Sequence, residues 1–189
     1  MYIDVVSFDE SGFDLGFVNY KVEILTELKQ LKKIKNGTVV IFEGSTNEIN
    51  RQAMETGRVD ILLSPEKHCH KDFMHHRNSG LNQVLCNIAN KKKTAIGISL
   101  NDLLYLENRG QRMGRIMQNV KLCKKYKVKL VFASFAKDKF GQRPVKDMLA
   151  IAKTLGMTDK QAKESLEALA QIINNKKVLF IAKGVKLVK

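Results

Sequence analysis

The sequence predicts an α/β protein in which helices cover a parallel β-sheet. Strand-like and helix-like segments alternate along the 189 residues, the strand-like segments are runs of apolar and β-branched residues, and the connections between them are short. Repeated units of this kind imply parallel strands joined by right-handed crossovers. We count six or seven strands, which could close as a barrel or form an open doubly wound sheet. In either arrangement the functional face lies at the carboxyl ends of the strands.

The first third of the chain is predicted to hold three strands and two helices. Residues 22–34 are predicted to form a helix because apolar side chains recur at helical spacing and Asn36-Gly37 ends the pattern. A shorter helix is predicted over residues 47–55. The strands are predicted at residues 2–8, 38–42 and 59–63.

The remainder of the chain repeats the same alternation. Thr158, with Gln161 three residues later, has the spacing of a capping box at a helix start. Helices are predicted at residues 81–89, 109–126, 145–155 and 159–173, with a turn or short helix at 101–105. Strands are predicted at residues 94–99, 129–133 and 178–182, with 185–188 extending or returning the last one.

The positive charge of the chain is unevenly distributed. The formal net charge is +14; residues 1–60 hold 7 Lys and Arg against 10 Asp and Glu, whereas residues 61–189 hold 26 against 9. A field of one sign attracts a polyanion and raises its encounter rate, so nucleic acid is the favoured partner. The alternative is a lysine-rich surface that only keeps the protein soluble.

Composition predicts a single soluble domain, residues 1–189, located in the cytoplasm. The hydrophobic content of 44% fits a chain that buries a sizeable core. Three cysteines without a C-x-x-C pair indicate reduced thiols rather than a disulfide framework. No apolar run approaches the ~20 residues that span a membrane, and the N-terminus has no secretory signal.

The histidines are the first candidates for chemistry. All four, His68, His70, His75 and His76, lie with Cys69 in a segment predicted as a loop between a strand and a helix. These residue types ligate zinc, and their spacing permits a site. However, Lys and Arg side chains are interspersed among them and disfavour a bound dication. We therefore favour a solvated basic loop over a metal centre.

No other segment predicts an active site. There is no G-x-S-x-G motif, and the glycines of residues 12–16 lack the Lys-Ser/Thr that follows in a phosphate-binding loop. Asp9, Glu43 and Asp102 fall at strand ends and could bind magnesium, but three scattered carboxylates are common by chance. The sequence thus predicts no catalytic residue, no metal site and no cofactor on this chain.

Two basic clusters are predicted to lie at the same edge of the sheet and to contact RNA. Members of the first are three residues apart and share one face of a helix start: Arg109, Arg112 and Arg115. The second follows the next strand and comprises Lys139, Arg143 and Lys146. Guanidinium groups bind phosphate bidentately. The run Lys91-Lys92-Lys93 is predicted at the opposite edge, where a solvated helix C-terminus explains it equally well.

Several segments resemble one known family in their order and spacing. They are residues 59–65, 80–85, 94–104, 115–119, 121–128, 133–136, 143–147, 155–157 and 161–162. They resemble archaeal ribonuclease P protein component 3, the family of the eukaryotic 30-kDa subunit. The resemblance covers roughly residues 38–173.

The resemblance implies a fold, a function and partners. The implied fold is TIM-barrel-like and related to the polymerase and histidinol phosphatase superfamily without its metal ligands, with an N-terminal part that is missing or reduced. The implied function is an RNA-binding subunit of the ribonucleoprotein that removes 5′ leaders from precursor tRNA. In that enzyme the RNA subunit catalyses and binds Mg²⁺, and this protein pairs with protein component 2 to support the catalytic RNA.

The sequence therefore leaves two candidate functions of different classes. The first is an RNA-binding subunit of ribonuclease P. The second is a stand-alone metal-dependent phosphoesterase on the same fold. The confinement of all histidines to one loop argues against the second, because a catalytic metal on a β/α scaffold usually takes ligands from several strand ends.

Overall fold

A computed structural model describes residues 2–7, 15–34, 37–69, 71–105, 107–177, 180–182 and 185–186. Among the positions named above, Phe8, Asp9, Gly12, Asn36 and His70 lie outside these residues, as do positions 178–179 and 187–188 of the predicted last strands.

Seven short strands and six helices alternate through most of the described chain. The strands are β1 (Ile3–Val6), β2 (Val18–Lys21), β3 (Ile24–Leu25), β4 (Ile41–Glu43), β5 (Ile61–Leu63), β6 (Ala95–Ser99) and β7 (Leu130–Ala133). The helices are α1 (Asn47–Glu55), α2 (Gln83–Lys92), α3 (Leu100–Tyr105), α4 (Arg109–Lys125), α5 (Val145–Thr154) and α6 (Asp159–Lys177). A final antiparallel pair follows, β8 (Phe180–Ala182) and β9 (Val185–Lys186), so the chain returns on itself there.

The parallel strands form a ring. β3 to β7 are hydrogen-bonded in sequence order, and β1 pairs in parallel with β2. β2 and β3 are nearly continuous, so one stretch of chain pairs with β1 by its first half and with β4 by its second. At the other side, β1 meets the chain just beyond β7, where Val6 bridges Ala136 and Ser7 N–H donates to Ala136 O at 3.0 Å. The fold is a TIM-barrel-like α/β fold.

A buried carboxylate fastens this closure. Asp4 on β1 accepts hydrogen bonds from the backbone N–H and the hydroxyl of Ser134, both at 2.6 Å, and from Gln142 Nε2 at 3.1 Å. Burial raises the pKa of Asp4, although these hydrogen bonds act in the opposite direction. One side chain thus joins the first strand to the loop after β7.

Both faces of the sheet are buried because successive strand residues point to opposite sides. Ile41 and Ile61 belong to an inner cluster, which Leu169 and Ile173 of α6 complete. Their neighbours Phe42 and Leu62 pack outward against α1 and α2. This explains the near-continuous apolar strands that the sequence shows.

The helix predicted over residues 22–34 is wrong. The structure has β3 at Ile24–Leu25 and a 3₁₀ turn at Gln30–Lys33. Gln30 Oε1 accepts from the backbone N–H groups of residues 26 and 27, at 3.1 and 3.0 Å, which makes a tight turn after β3. Pairing of this segment with β4 outweighs the helical spacing of its apolar residues.

The remaining elements agree with the sequence predictions to within a few residues. The capping box is confirmed: Thr158 N–H donates to Gln161 Oε1 at 3.0 Å, and Gln161 N–H donates to Thr158 Oγ1 at 3.3 Å. The strand at β2 was not predicted. Among the described helices, none has the length and apolar character needed to cross a membrane.

Candidate nucleic-acid interface

The two predicted basic clusters follow adjacent parallel strands. Ser99 and Ala133 are register partners at the ends of β6 and β7, and Asn101 N–H donates to Ser134 O at 2.9 Å. Helix α4 starts at Arg109 after the first strand, and α5 starts at Val145 after the second. Both clusters therefore lie at the carboxyl ends of the strands, which we call the carboxyl edge.

The three arginines of the first cluster differ in burial. Arg109 is exposed and donates to Leu104 O at 2.7 Å. Arg112 is half-buried, and its Nε and Nη1 have no hydrogen-bond partner among the residues that the structure describes. Arg115 is only 4% exposed. Along two turns of α4, the arginines of this face therefore change from exposed at Arg109 to buried at Arg115.

Arg115 anchors a loop instead of presenting its guanidinium to solvent. Its Nε donates to Asp72 Oδ1 at 2.8 Å, and its Nη1 donates to Cys69 O. Desolvation alone would raise the pKa of Asp72, but hydrogen bonds from Arg115, Gln111 and the N–H of Asn78 outweigh it and lower that pKa. RNA contact by Arg115 remains a prediction, and its position in the structure assigns it a positioning role.

Two further α4 residues hold the same loop. Gln118 accepts from Arg77 N–H at 3.2 Å and donates through Nε2 to Ser79 Oγ at 2.9 Å. Asn119 Nδ2 donates to Ser79 O at 3.0 Å and to Glu66 Oε2 at 3.3 Å. Residues 115–119, which carried part of the family resemblance, therefore bind the loop that follows β5.

That loop contains the histidines. His68, His75 and His76 are exposed, and the ring of Phe73 stacks on His76 with centroids 4.7 Å apart. Outside the undescribed positions, which include His70, no three His, Cys, Asp or Glu side chains are grouped so that they could hold a metal ion. Metal binding by the whole loop stays a question for the experiment below.

Two of the carboxylates predicted at strand ends, Glu43 and Asp102, lie beside a lysine. The Lys67 ammonium forms an ion pair with Glu43 and lies 3.8 Å from Asp102 Oδ1. Asp102 also accepts from Ser64 Oγ at 2.9 Å. Lys67 thus supplies positive charge between the two acids, which the sequence pattern could not indicate.

Glu66 is a buried acid of this edge with a strongly raised pKa. It is 2% exposed, and burial raises its pKa to about 7, while the nearby Arg112 acts to lower it and Asp102 to raise it. A carboxyl group that titrates near neutrality therefore lies directly beneath the first basic cluster.

The second cluster lies on the loop after β7, which Gln142 holds in place, and on the first turn of α5, which contains Lys146. Gln142 Nε2 donates to Asp4 and to Asn19 Oδ1, the latter at 2.8 Å. Arg143 Nη1 donates to the carbonyls of Phe140 and Gln142 at 2.6 and 2.7 Å, so part of its guanidinium braces its own loop. Lys139 and Lys146 are exposed.

Exposed aromatic rings accompany these cations and were missed from the sequence. Phe140 is 71% exposed with Lys139 Nζ 5.6 Å from its ring centroid, Tyr105 is 64% exposed, and Phe73 is 53% exposed. The three rings lie on the loops or short helix that follow β7, β6 and β5. An aromatic residue within a basic loop was the signal that could have identified Phe140. Such rings stack on unpaired bases in RNA-binding proteins.

The chain matches one protein family over most of its length. The profile described as RNase P subunit p30 matches residues 18–179. A Methanosarcina acetivorans protein named ribonuclease P protein component 3 is 35% identical over 158 residues, which are 80% of this chain and 62% of that protein. The Methanococcus vannielii protein of the same name is 30% identical over 149 residues, 77% of this chain and 61% of that protein. This TIM-barrel-like chain belongs to the RNase P subunit p30 family.

The solved structures agree on the fold. A chain in a cryo-EM structure of archaeal ribonuclease P with mature tRNA matches with a TM-score of 0.78 and 21% identity, over 99% of this chain and 98% of that chain. A prolidase complexed with N-methylphosphonate-L-proline matches with a TM-score of 0.53 and 14% identity, over 79% of this chain and 36% of that chain. This chain spans only 55–62% of the length of the curated relatives from three Methanosarcina species.

Proposed function

We propose that this chain is an RNA-binding protein subunit of ribonuclease P, the ribonucleoprotein that removes 5′ leaders from precursor tRNA. The observation that carries the proposal is the family match over residues 18–179. The net charge of +14 and its concentration after residue 60 are independent support, because they suit a polyanionic partner.

The proposal assigns the chain a supporting role in a cytoplasmic enzyme. The RNA subunit performs catalysis and binds Mg²⁺, and this protein works with protein component 2 to support the catalytic RNA. The interaction of Lys67 with Glu43 and Asp102 is consistent with this role, since the ammonium neutralises acids that would otherwise attract a cation.

The proposed RNA contacts are phosphate and ribose groups at the carboxyl edge. Arg109, Lys139 and Lys146 are the exposed cations of the predicted set. The half-buried Arg143 contributes what its hydrogen bonds to Phe140 O and Gln142 O leave available, and the half-buried Arg112 contributes the exposed part of its side chain. Arg115 holds the surface in place. Phe140 and Tyr105 add faces for unpaired bases.

Reconstitution of precursor-tRNA cleavage tests this role. The catalytic RNA and protein component 2 of a Methanosarcina relative are combined with and without this chain in Mg²⁺. We expect the chain to raise the cleavage rate and to show no cleavage without the RNA. No effect on the rate would reject the subunit role, and RNA-free cleavage would reject the assignment of catalysis to the RNA.

The phosphoesterase alternative is tested on the same preparation. Metal content of the purified chain and hydrolysis of a chromogenic phosphodiester are measured for the wild type and for a variant with His68, His70, His75 and His76 replaced by Gln. We expect no stoichiometric metal and reconstituted activity within a few-fold of wild type. Stoichiometric zinc that disappears in the variant together with hydrolysis would favour the phosphoesterase.

A further inference from the structure

We propose that the amino-terminal ends of the strands form a second RNA-binding surface, a lysine groove that takes the phosphate backbone. This inference rests on the proposed function, because it adds a contact to the same subunit. Two adjoining cavities of about 350 and 440 Å³ share Lys127 and Lys129 as lining residues. The lysines that line the groove are Lys93, Lys124, Lys127, Lys129 and Lys176.

The acids that line the groove already have cationic partners. Asp60 lies 3.1 Å from Lys176 Nζ and also accepts from Val40 N–H at 2.8 Å. Glu164 Oε1 lies 4.0 Å from the Nζ atom of Lys160, a residue that does not line the groove. The charge left over is positive, so the groove complements a polyanion and repels cationic partners.

Two of these lysines have a backbone conformation that is unusual for a residue with a side chain. Lys93 and Lys127 have φ of 59° and 54°, the left-handed region that glycine favours. Each follows a helix in the same motif, in which Thr94 N–H donates to Ala89 O and Val128 N–H donates to Cys123 O, both at 2.9 Å.

Helix α5 ends in the same motif with the expected residue. There Gly156 has φ of 95°, and Met157 N–H donates to Ala152 O at 3.2 Å. The chain thus uses glycine where this motif lies away from the groove and lysine at both places where it lines the groove. The left-handed conformation is unfavourable for a residue with a side chain. Lysine at both positions therefore indicates a functional role for the two ammonium groups.

The groove is also ordered by hydrogen bonds between its walls. Asn90 Nδ2 donates to Tyr126 O at 2.7 Å and joins the ends of α2 and α4. Lys129 Nζ donates to Gln171 Oε1 at 3.1 Å and joins the start of β7 to α6. These bonds fix the walls of the groove and hold the side chain of Lys129, which lowers the conformational entropy lost on binding.

Location distinguishes this groove from the carboxyl edge. Its residues precede β6 and β7, whereas the arginine clusters follow the same strands. The two surfaces lie at opposite ends of the barrel, and one molecule therefore contacts two separate segments of folded RNA.

The test removes charge without disturbing the turns. In Lys93→Asn/Lys127→Asn, asparagine tolerates the left-handed conformation, so we expect a melting temperature equal to or above wild type. Binding of the full chain to a fluorescein-labelled ribonuclease P RNA is measured against salt. We expect roughly tenfold weaker binding and a salt slope lower by about 1.5, corresponding to two phosphate contacts.

Two matched variants are measured in parallel. Lys93→Arg/Lys127→Arg keeps the charge and should bind within about threefold of wild type. Lys121→Gln removes one exposed charge from the C-terminal half of α4, outside the groove lining, and should change the slope little. If the Asn pair does not fold, Lys93→Gly/Lys127→Gly carries the test with the same expectation.

An unchanged salt slope in the Asn pair, with wild-type protein that binds RNA and stimulates cleavage, would overturn the groove and leave the proposed function intact. Equal losses in the Asn and Arg pairs would also overturn it, because charge would then not be the cause. A wild-type chain that neither binds RNA nor stimulates cleavage rejects the proposed function itself.

Discussion

At the scale of single residues, Glu66 makes folding depend on pH near neutrality. Its pKa is about 7 in the folded protein, against an ordinary value of 4.5. The folded state therefore holds a proton that the unfolded state releases between these values. The free energy of unfolding falls as pH rises through this window and levels off above it.

Glu66→Gln should remove this dependence. The amide keeps an oxygen that accepts from Asn119 and carries no charge to desolvate. We expect the variant to gain stability relative to wild type as pH rises from about 5 to about 8, by up to about 3 kcal/mol. Urea unfolding at several pH values measures this gain. Glu48→Gln, at an exposed position of α1, is the control, and equal curves for Glu66→Gln and wild type would contradict the assignment.

Arg115 and Arg109 should respond oppositely to truncation. Arg115→Ala leaves Asp72 without its buried partner, and we expect a loss of about 2–3 kcal/mol in the free energy of unfolding and faster proteolysis within residues 66–79. Arg109→Ala, at an exposed position, should cost less than about 0.5 kcal/mol but weaken RNA binding. Normal stability and an intact loop in Arg115→Ala would remove its positioning role.

At the scale of elements, the loop after β5 depends on one glycine. Gly80 has φ of +70°, and a Cβ there would lie 1.9 Å from Pro65 O, so the two ends of the loop touch through backbone atoms. No rotamer change relieves such a contact. The ends of this loop are thus fixed by the chain itself, and its middle by α4.

Gly80→Ala should therefore cost about 3 kcal/mol or more of unfolding free energy. Gly110→Ala is the matched control: nothing lies within 4 Å of its added Cβ, and alanine in the first turn of α4 should be neutral or stabilising by up to about 1 kcal/mol. Thermal or chemical denaturation of the two variants compares them directly. A Gly80→Ala protein as stable as Gly110→Ala would contradict the backbone contact.

Secondary structure was predicted correctly from the sequence where a single local pattern determines the element. Apolar β-branched runs located β4 to β7, and Thr158 with Gln161 located the start of α6. The segment 22–34 failed because its strand, β3, exists through pairing with β4, which is a tertiary contact that the local sequence pattern does not contain. Spacing placed Arg109 and Arg115 on one helix face, but only tertiary packing decides that the second is buried.

At the scale of the whole molecule, charge and exposed rings at the carboxyl edge should act together on RNA. Phe140→Ala removes a 71% exposed ring and leaves the net charge unchanged. We expect weaker binding to single-stranded RNA segments by about 1–3 kcal/mol per stacked base, with an unchanged salt slope. Lys139→Gln should lower the slope by about 0.7–0.9. Salt titrations of both variants separate the two effects, and a slope change in Phe140→Ala would contradict a stacking role.

The contacts of Asp4 also constrain the order in which the protein can form during synthesis. Its partners Ser134 and Gln142 are separated from it by 130 and 138 positions, so the second side of β1 stays unpaired until most of the chain has been made. Such distant contacts delay folding. We expect nascent chains that end before residue 134 to leave β1 open to protease, and chains long enough for residue 142 to have left the ribosome to protect it. Early protection would show that β1 finds its place before the ring closes.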